Sequence, residues 1–258
     1  MTRKQSRFDP PVTGWQRDLP GPNETPLRAP EAFPPNCVDN IYLELSRSSL
    51  AWRGVLVWLG MGSSIVLIPG SLGLFFWAVI DPDLRGIEEI LMGLAMVNLS
   101  VWLSTTIIRM DLSPPRDEPI RFNRASRKVC VYRFHMCWWN PFSRTRWFVR
   151  PEAYDWDDLR AEEFQRYAPG VAYQYGVNIV VRKRDINQVR DRFLLSHDST
   201  NTWTLAQVFM QPGPQALPKF ERPPRDWNNE APGMNLARRF APKVRWPEAM
   251  DIESRTAP

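Results

Sequence analysis

The residues best suited to chemistry in this chain are few. Its 258 residues include two histidines, His135 and His197, and three cysteines, Cys37, Cys130 and Cys137. Cys130, His135 and Cys137 fall close enough together to suggest metal ligation. Structural zinc takes four ligands converging on one point. If this stretch is a strand, Cys130 and Cys137 have opposite parity and face opposite sides, and no fourth ligand is apparent. His197-Asp198-Ser199 sets the residue types of a catalytic triad side by side. A triad needs groups converging from separate elements, which consecutive residues rarely do. A turn followed by a helix cap accounts for them. Asp155, Asp157, Asp158, Glu162 and Glu163 form an acidic cluster, read as a solvated turn or as ion-pair partners of nearby arginines. Glycine-rich phosphate loops, H-E-x-x-H and G-x-S-x-G are absent. The reading is therefore a non-enzyme with no catalytic, cofactor-binding or metal residues. Three cysteines at irregular spacing make no disulfide framework.

Charge and aromatic side chains carry more information. From Arg109 onward there are 25 Lys and Arg against 18 Asp and Glu. Arg121, Arg124, Arg127, Lys128 and Arg133 cluster in one short stretch. Trp138, Trp139, Trp147 and Phe148 follow in the next. Each basic residue near an anionic leaflet contributes about 1 kcal/mol of attraction. Trp and Arg are also the types that dominate protein interfaces, and Trp is abundant here at 12 residues. These nine residues are the candidates for a partner or membrane surface. Basic and aromatic residues together also suit single-stranded nucleic acid. The interspersed acids and a membrane tether argue against that partner.

A tether would hold these residues near the bilayer. Residues 54–80, GVLVWLGMGSSIVLIPGSLGLFFWAVI, carry no charge, and neither do residues 90–108, ILMGLAMVNLSVWLSTTII. About 20 residues of helix cross the hydrocarbon core. Both stretches therefore read as transmembrane helices, forming a two-helix hairpin within residues 41–110. Pro69-Gly70 is the expected kink, with Ser63 or Ser64 satisfying the carbonyl it frees. Asn98 is expected to glue the helices together through a polar partner in the first span. Gly93, Ala95, Ser100 and Ser104 offer small positions for close packing. Arg47, Arg53, Arg109 and Arg116 flank the pair, while the loop holds Arg85 against four acids. The positive-inside rule then places both termini in the cytoplasm of a bacterial inner-membrane protein. No oligomeric state is legible.

Outside the hairpin, residues 1–40 read as a Pro-rich, mostly irregular cytosolic arm, which Phe8, Trp15 and Phe33 could pin to a folded domain. Residues 111–213 read as a β-rich domain. Its first hairpin turns at Asn123–Ser126, with the second strand from Lys128. An aromatic loop follows, then a strand end at 153–160. A strand at 171–182 pairs with 191–197 across a polar connection, Lys183–Arg190. A helix spans 200–211, capped by Thr200 or Asn201. Residues 214–258 return to a Pro-rich tail. The fold class is an α+β membrane protein: the transmembrane hairpin plus a small antiparallel β barrel or sandwich closed by a C-terminal helix.

The two adjacent spans, the stretch IRFNRASRKVCVYRF, the aromatic basic loop, the YDWDDLRAE segment and the Trp-initiated helix carry a resemblance. Over roughly residues 35–215 the chain resembles an uncharacterised family of two-span bacterial membrane proteins, often encoded near type VI secretion effector genes. More loosely, the β-domain resembles membrane-anchored pleckstrin-homology-like domains. The resemblance implies an immunity or accessory protein that binds a secreted effector. The alternative is an anionic-lipid-binding module that positions a partner.

Overall fold

A computed structural model of the chain describes all residues except 1–5, 7, 48–52, 82–85, 169–171, 184–185, 198, 232 and 258. Nine strands and five helices occur among the described residues: β1 (Trp15–Asp18), β2 (Cys37–Val38), β3 (Tyr42–Ser46), α1 (Val55–Ile80), α2 (Ile87–Leu112), β4 (Pro119–Asn123), β5 (Lys128–His135), β6 (Phe148–Asp155), β7 (Leu159–Ala168), β8 (Ala172–Lys183), β9 (Ile186–Ser196), α3 (Asn201–Met210), α4 (Leu236–Phe240) and α5 (Glu248–Arg255). Arg85 and Asp198 lie outside the described residues.

The strands form two antiparallel sheets, ordered β1-β7-β8-β9 and β2-β3-β4-β5-β6. They share no strand, so the barrel allowed by the sequence is not closed. Alternation in each strand sends one set of side chains into a common core. Leu43, Leu45, Ile120, Phe122, Val129 and Val131 enter it from the five-stranded sheet, and Leu159, Ala161, Val177, Ile179 and Leu195 from the four-stranded one. Trp203, Leu205, Ala206 and Phe209 of α3 complete it. At its centre Trp156, fully buried, meets Phe122 edge-on and lies 5.0 Å from the Trp203 ring.

The N-terminal arm is part of this body. β1 pairs with β7, and β2 with β3. Trp203 donates its indole N–H to the Pro20 carbonyl (3.0 Å), and Gln207 donates to that of Gly21 (2.6 Å). Asn201 exchanges two hydrogen bonds with the Glu31 backbone instead of capping α3. Phe8 is buried as the pinning idea requires, but Phe33 is exposed. β7 was not legible as a strand, because LRAEEFQRYA alternates poorly. β9 begins at Ile186, inside the stretch read as a connection.

The two long helices enter between neighbouring strands. β3 pairs with β4 in the register Leu45↔Ile120 and Ser46↔Pro119, and the whole α1–α2 hairpin lies between those partners in sequence. Each helix has 26 residues and is long and apolar enough to cross a membrane. Neither has a polar face: Ile65 is 72% exposed, Val66 69% and Leu91 56%. The helices meet along small residues. Gly60 abuts Ile107 and Ile108, and Gly93 abuts the Phe75 backbone. Ser104 is buried in this seam, while Ala95 is exposed.

The base of the hairpin is fixed to the domain. Asp111, at the end of α2, accepts hydrogen bonds from the Gly54 N–H (2.7 Å) and the Val57 N–H (3.2 Å). A carboxylate there satisfies orphan donors at the start of α1 and suits its dipole. Arg53 donates to the carbonyls of Pro114 and Pro115, and Asn235 donates to that of Arg53. Arg47 spans both sheets, donating to Tyr132 O of β5 and Leu194 O of β9, each at 2.7 Å.

Candidate functional site

In β4, Ile120 and Phe122 point into the core, which turns Arg121 and Asn123 to the opposite face. Both are nonetheless buried, at 1% and 0% exposure, because the C-terminal segment folds back over the sheet. Arg121 donates from Nε (2.8 Å) and Nη2 (2.6 Å) to Glu44 of β3, and from Nη1 to Asp251 (2.9 Å) and Ser254 of α5. Its guanidinium lies over the rings of Trp246 (4.7 Å) and Tyr42 (5.1 Å). Burial pulls its pKa down, but Glu44 and Asp251 outweigh this and leave it above the ordinary value. Asn123 donates to the carbonyls of Ser254 (3.1 Å) and Thr256 (3.0 Å), satisfying orphan acceptors at the end of α5.

Beside this clamp lies a cleft of about 680 Å³ between the sheet and the C-terminal segment. Tyr42, Glu44, Arg121, Trp227, Arg245 and Trp246 line it. Trp227 carries the Arg225 guanidinium 3.6 Å above its ring and donates to Asn36 Oδ1 (2.9 Å). Its walls are thus aromatic rings and paired charges held by hydrogen bonds, an arrangement suited to a polar peptide or protein surface.

The basic residues singled out in the sequence do not form one free face. Arg121 is buried, which removes it from the surface candidates. Arg133 pairs with Glu152 (2.8 Å) and Asp191, and those carboxylates outweigh its burial and raise its pKa. Lys128 pairs with Glu253, and Arg127 pairs with Asp157. Arg124 lies against Gly213 and approaches Gln211 O at 3.5 Å. The acidic cluster is thereby resolved in part: Asp157 serves Arg127, and the fully buried Glu162 pairs with Arg192 (2.9 Å). The pairing was invisible in sequence because Glu253, Asp191 and Asp251 come from distant elements.

The aromatic residues separate into two groups. Trp147 is buried, with Arg109 lying 4.7 Å over its ring. Trp138, Trp139 and Phe148 are exposed, together with Met136 and Phe142. Trp138 and Trp139 stack at 3.8 Å, and Phe148 stacks on His135 at 5.2 Å. Asn98, expected to glue the helices, and Ser63 and Ser64, expected to answer the carbonyl freed by the kink and to help pack the helices, all bond to the preceding turn of their own helix. Asn98 donates to Leu94 O (2.8 Å), and Ser63 (3.0 Å) and Ser64 (2.6 Å) both donate to Gly60 O. Each therefore quiets its own side chain, and close packing at Gly60 and Gly93 joins the pair instead.

Cys130 is buried, and burial pushes its thiol up to about 11. Among the described residues, no group of three His, Cys, Asp or Glu side chains is placed to hold a metal ion. The roles of Glu44, Asp111, Trp246 and Asp251 were missed in sequence. Asp111 left one trace, as the first acid after the apolar run 90–108, two residues beyond Arg109.

Residues 97–258 match a family described as a family of unknown function (DUF6708), and the chain belongs to that family. The match starts within α2, so β3 and α1 lie outside it. No curated protein and no solved structure matches the chain.

Proposed function

We propose that this member of the DUF6708 family is a membrane-anchored docking protein, whose domain is held at a fixed pose on the bilayer to engage a protein partner. The observation that carries this reading is the insertion of the α1–α2 hairpin between the paired strands β3 and β4, with its base locked by Asp111, Arg53 and Asn235. A flexible tether would only localise a domain; a hairpin rooted in two paired strands also orients it. The proposed docking site is the cleft lined by Trp227, Arg245 and Trp246, whose residue types are those of interface hot spots.

The finer reading is an immunity or accessory protein for a type VI secretion effector, in a bacterial inner membrane with both termini in the cytoplasm. The resemblance of the two-span architecture supports the effector link, and the flanking arginines support the orientation. Antiparallel strands followed by helix α3, which packs on their shared core, support describing the domain as pleckstrin-homology-like. The test is co-expression of the full chain with the effector encoded beside it. Protection and a recoverable complex are expected, both lost with Trp246→Ala plus Arg245→Ala. Full toxicity with no complex would sink the proposal.

A further inference from the structure

The aromatic loop 136–148 is built unlike a water-exposed loop. Five of its backbone carbonyls are answered from within the protein. The Cys137 carbonyl accepts from the Asn140 N–H (3.1 Å), and the Trp139 carbonyl from the Trp102 indole of α2 (3.3 Å). The Asn140 carbonyl accepts from the Trp147 indole (3.0 Å). Arg109 donates to the carbonyls of Pro141 and Ser143. Meanwhile the large apolar side chains turn outward: Trp139 is 71% exposed, Phe142 59% and Met136 46%. Internally answered carbonyls around the Trp138–Trp139 tip, with apolar side chains turned outward, suit hydrocarbon better than water.

The loop also has a defined depth. It runs along α2, touching Arg109 at one level and Trp102 at another. These residues are seven apart, about 10 Å along a helix axis. Gly60 packs at the level of Ile108, so the stretch from there to Ile80 covers about 30 Å, the thickness of the hydrocarbon core. The Arg109 level is then the membrane surface, and Trp139 lies about 10 Å below it. Trp147 lies under Arg109 and so marks the surface level, and its sequence neighbours Arg144 and Arg146 are exposed.

We infer that residues 136–148 form a shallow membrane wedge: the stacked Trp138–Trp139 tip enters the acyl region of the leaflet on the domain's side, alongside α2. The occupant of this exposed patch is lipid, because the patch is continuous with the exposed apolar surface of the two long helices. The inference rests on the membrane-anchored reading above. The wedge gives the domain a third point of contact besides the two helices, and it fixes which side faces the bilayer.

Nitroxide labels on single cysteines test it in the full chain, with Cys37→Ser, Cys130→Ala and Cys137→Ser as background. The protein is reconstituted in vesicles of equal parts phosphatidylcholine and phosphatidylglycerol. Labels at Trp139→Cys and, separately, Phe142→Cys are compared with Ile65→Cys in α1 and Tyr173→Cys on the domain. Collisions with oxygen should exceed those with an aqueous nickel chelate at 139 and 142, as at 65, with the reverse at 173. Aqueous exposure at 139 and 142 with lipid exposure at 65 would overturn the wedge alone. Aqueous exposure at 65 would overturn the anchor and the wedge together. Shielding from both reagents at 139 would mean that protein covers the loop, which also overturns the inference.

Discussion

Replacing Arg121 by Ala should release the C-terminal segment from the sheet. Arg121 is 1% exposed and donates to Glu44, Asp251 and Ser254. Removing one partner of a buried ion pair costs about 3–5 kcal/mol, because the other charge stays behind unpaired. Asp251 is 33% exposed and is largely solvated once freed, so its share is discounted. Glu44, 15% exposed, carries most of the penalty. The lost packing of the guanidinium against Trp246 adds to it. We expect a loss of about 3 kcal/mol, concentrated where α5 meets β4. At about 1.4 kcal/mol per tenfold, amide exchange in residues 248–255 should accelerate about 100-fold. Hydrogen exchange of the full chain in nanodiscs, followed peptide by peptide, reads this directly. β7, β8 and β9 should keep their protection. Combining Arg121→Met with Glu44→Gln removes both charges, and should recover part of the loss. Unchanged exchange in 248–255, or equal acceleration across both sheets, would refute the clamp.

Other outcomes follow from the same geometry. A Cβ on Gly60 would sit 2.5 Å from Ile108 Cγ1, whereas one on Gly62 meets nothing within 4 Å. Gly60→Ala should therefore cost about 1–3 kcal/mol by overpacking, while Gly62→Ala is neutral or stabilising, as read from thermal unfolding in nanodiscs. Asp111→Ala leaves the N–H groups of Gly54 and Val57 without their acceptor. It should cost about 1 kcal/mol, with exchange quickening first at residues 54–57. For Cys130, pushed up to about 11 by burial, the thiol form is favoured by folding. Stability from this group is complete below about 9 and declines as pH rises toward 11. Alkylation at pH 8 should mark Cys37 and Cys137 well before Cys130. Equal labelling rates would contradict the burial.

Several elements were readable from local pattern alone. The hairpin of β4 and β5 announced itself by its turn at Asn123–Ser126, and β8 by its Val and Ile content. The two long helices were evident from their uncharged runs, although α2 extends about a turn further at each end. What stayed hidden depends on distant partners. β1 and β3 gain their strand character by pairing with β7 and β4, far along the chain, and β2 gains its own by pairing with β3. β7 is polar in sequence, because Glu162 is buried against Arg192 and Ser6 rather than exposed. Arg121 and Lys128 look like a basic surface until α5 brings Asp251 and Glu253 to them. Trp139 and Trp147 look alike in sequence, yet one is exposed and the other lies under Arg109.

The domain is completed across the α1–α2 hairpin, by strands from both sides of it. Ser46 and Pro119 are register partners, so a short turn can replace the chain between Arg47 and Arg116. A chain joined in this way, with residues 48–115 replaced by a short glycine-asparagine turn, should be soluble without detergent. It should be monodisperse, with antiparallel β circular dichroism and a cooperative thermal transition. Residues 111–258 alone, lacking β1, β2 and β3, should not fold. A folded 111–258 fragment beside an unfolded joined chain would contradict this completion by β1, β2 and β3.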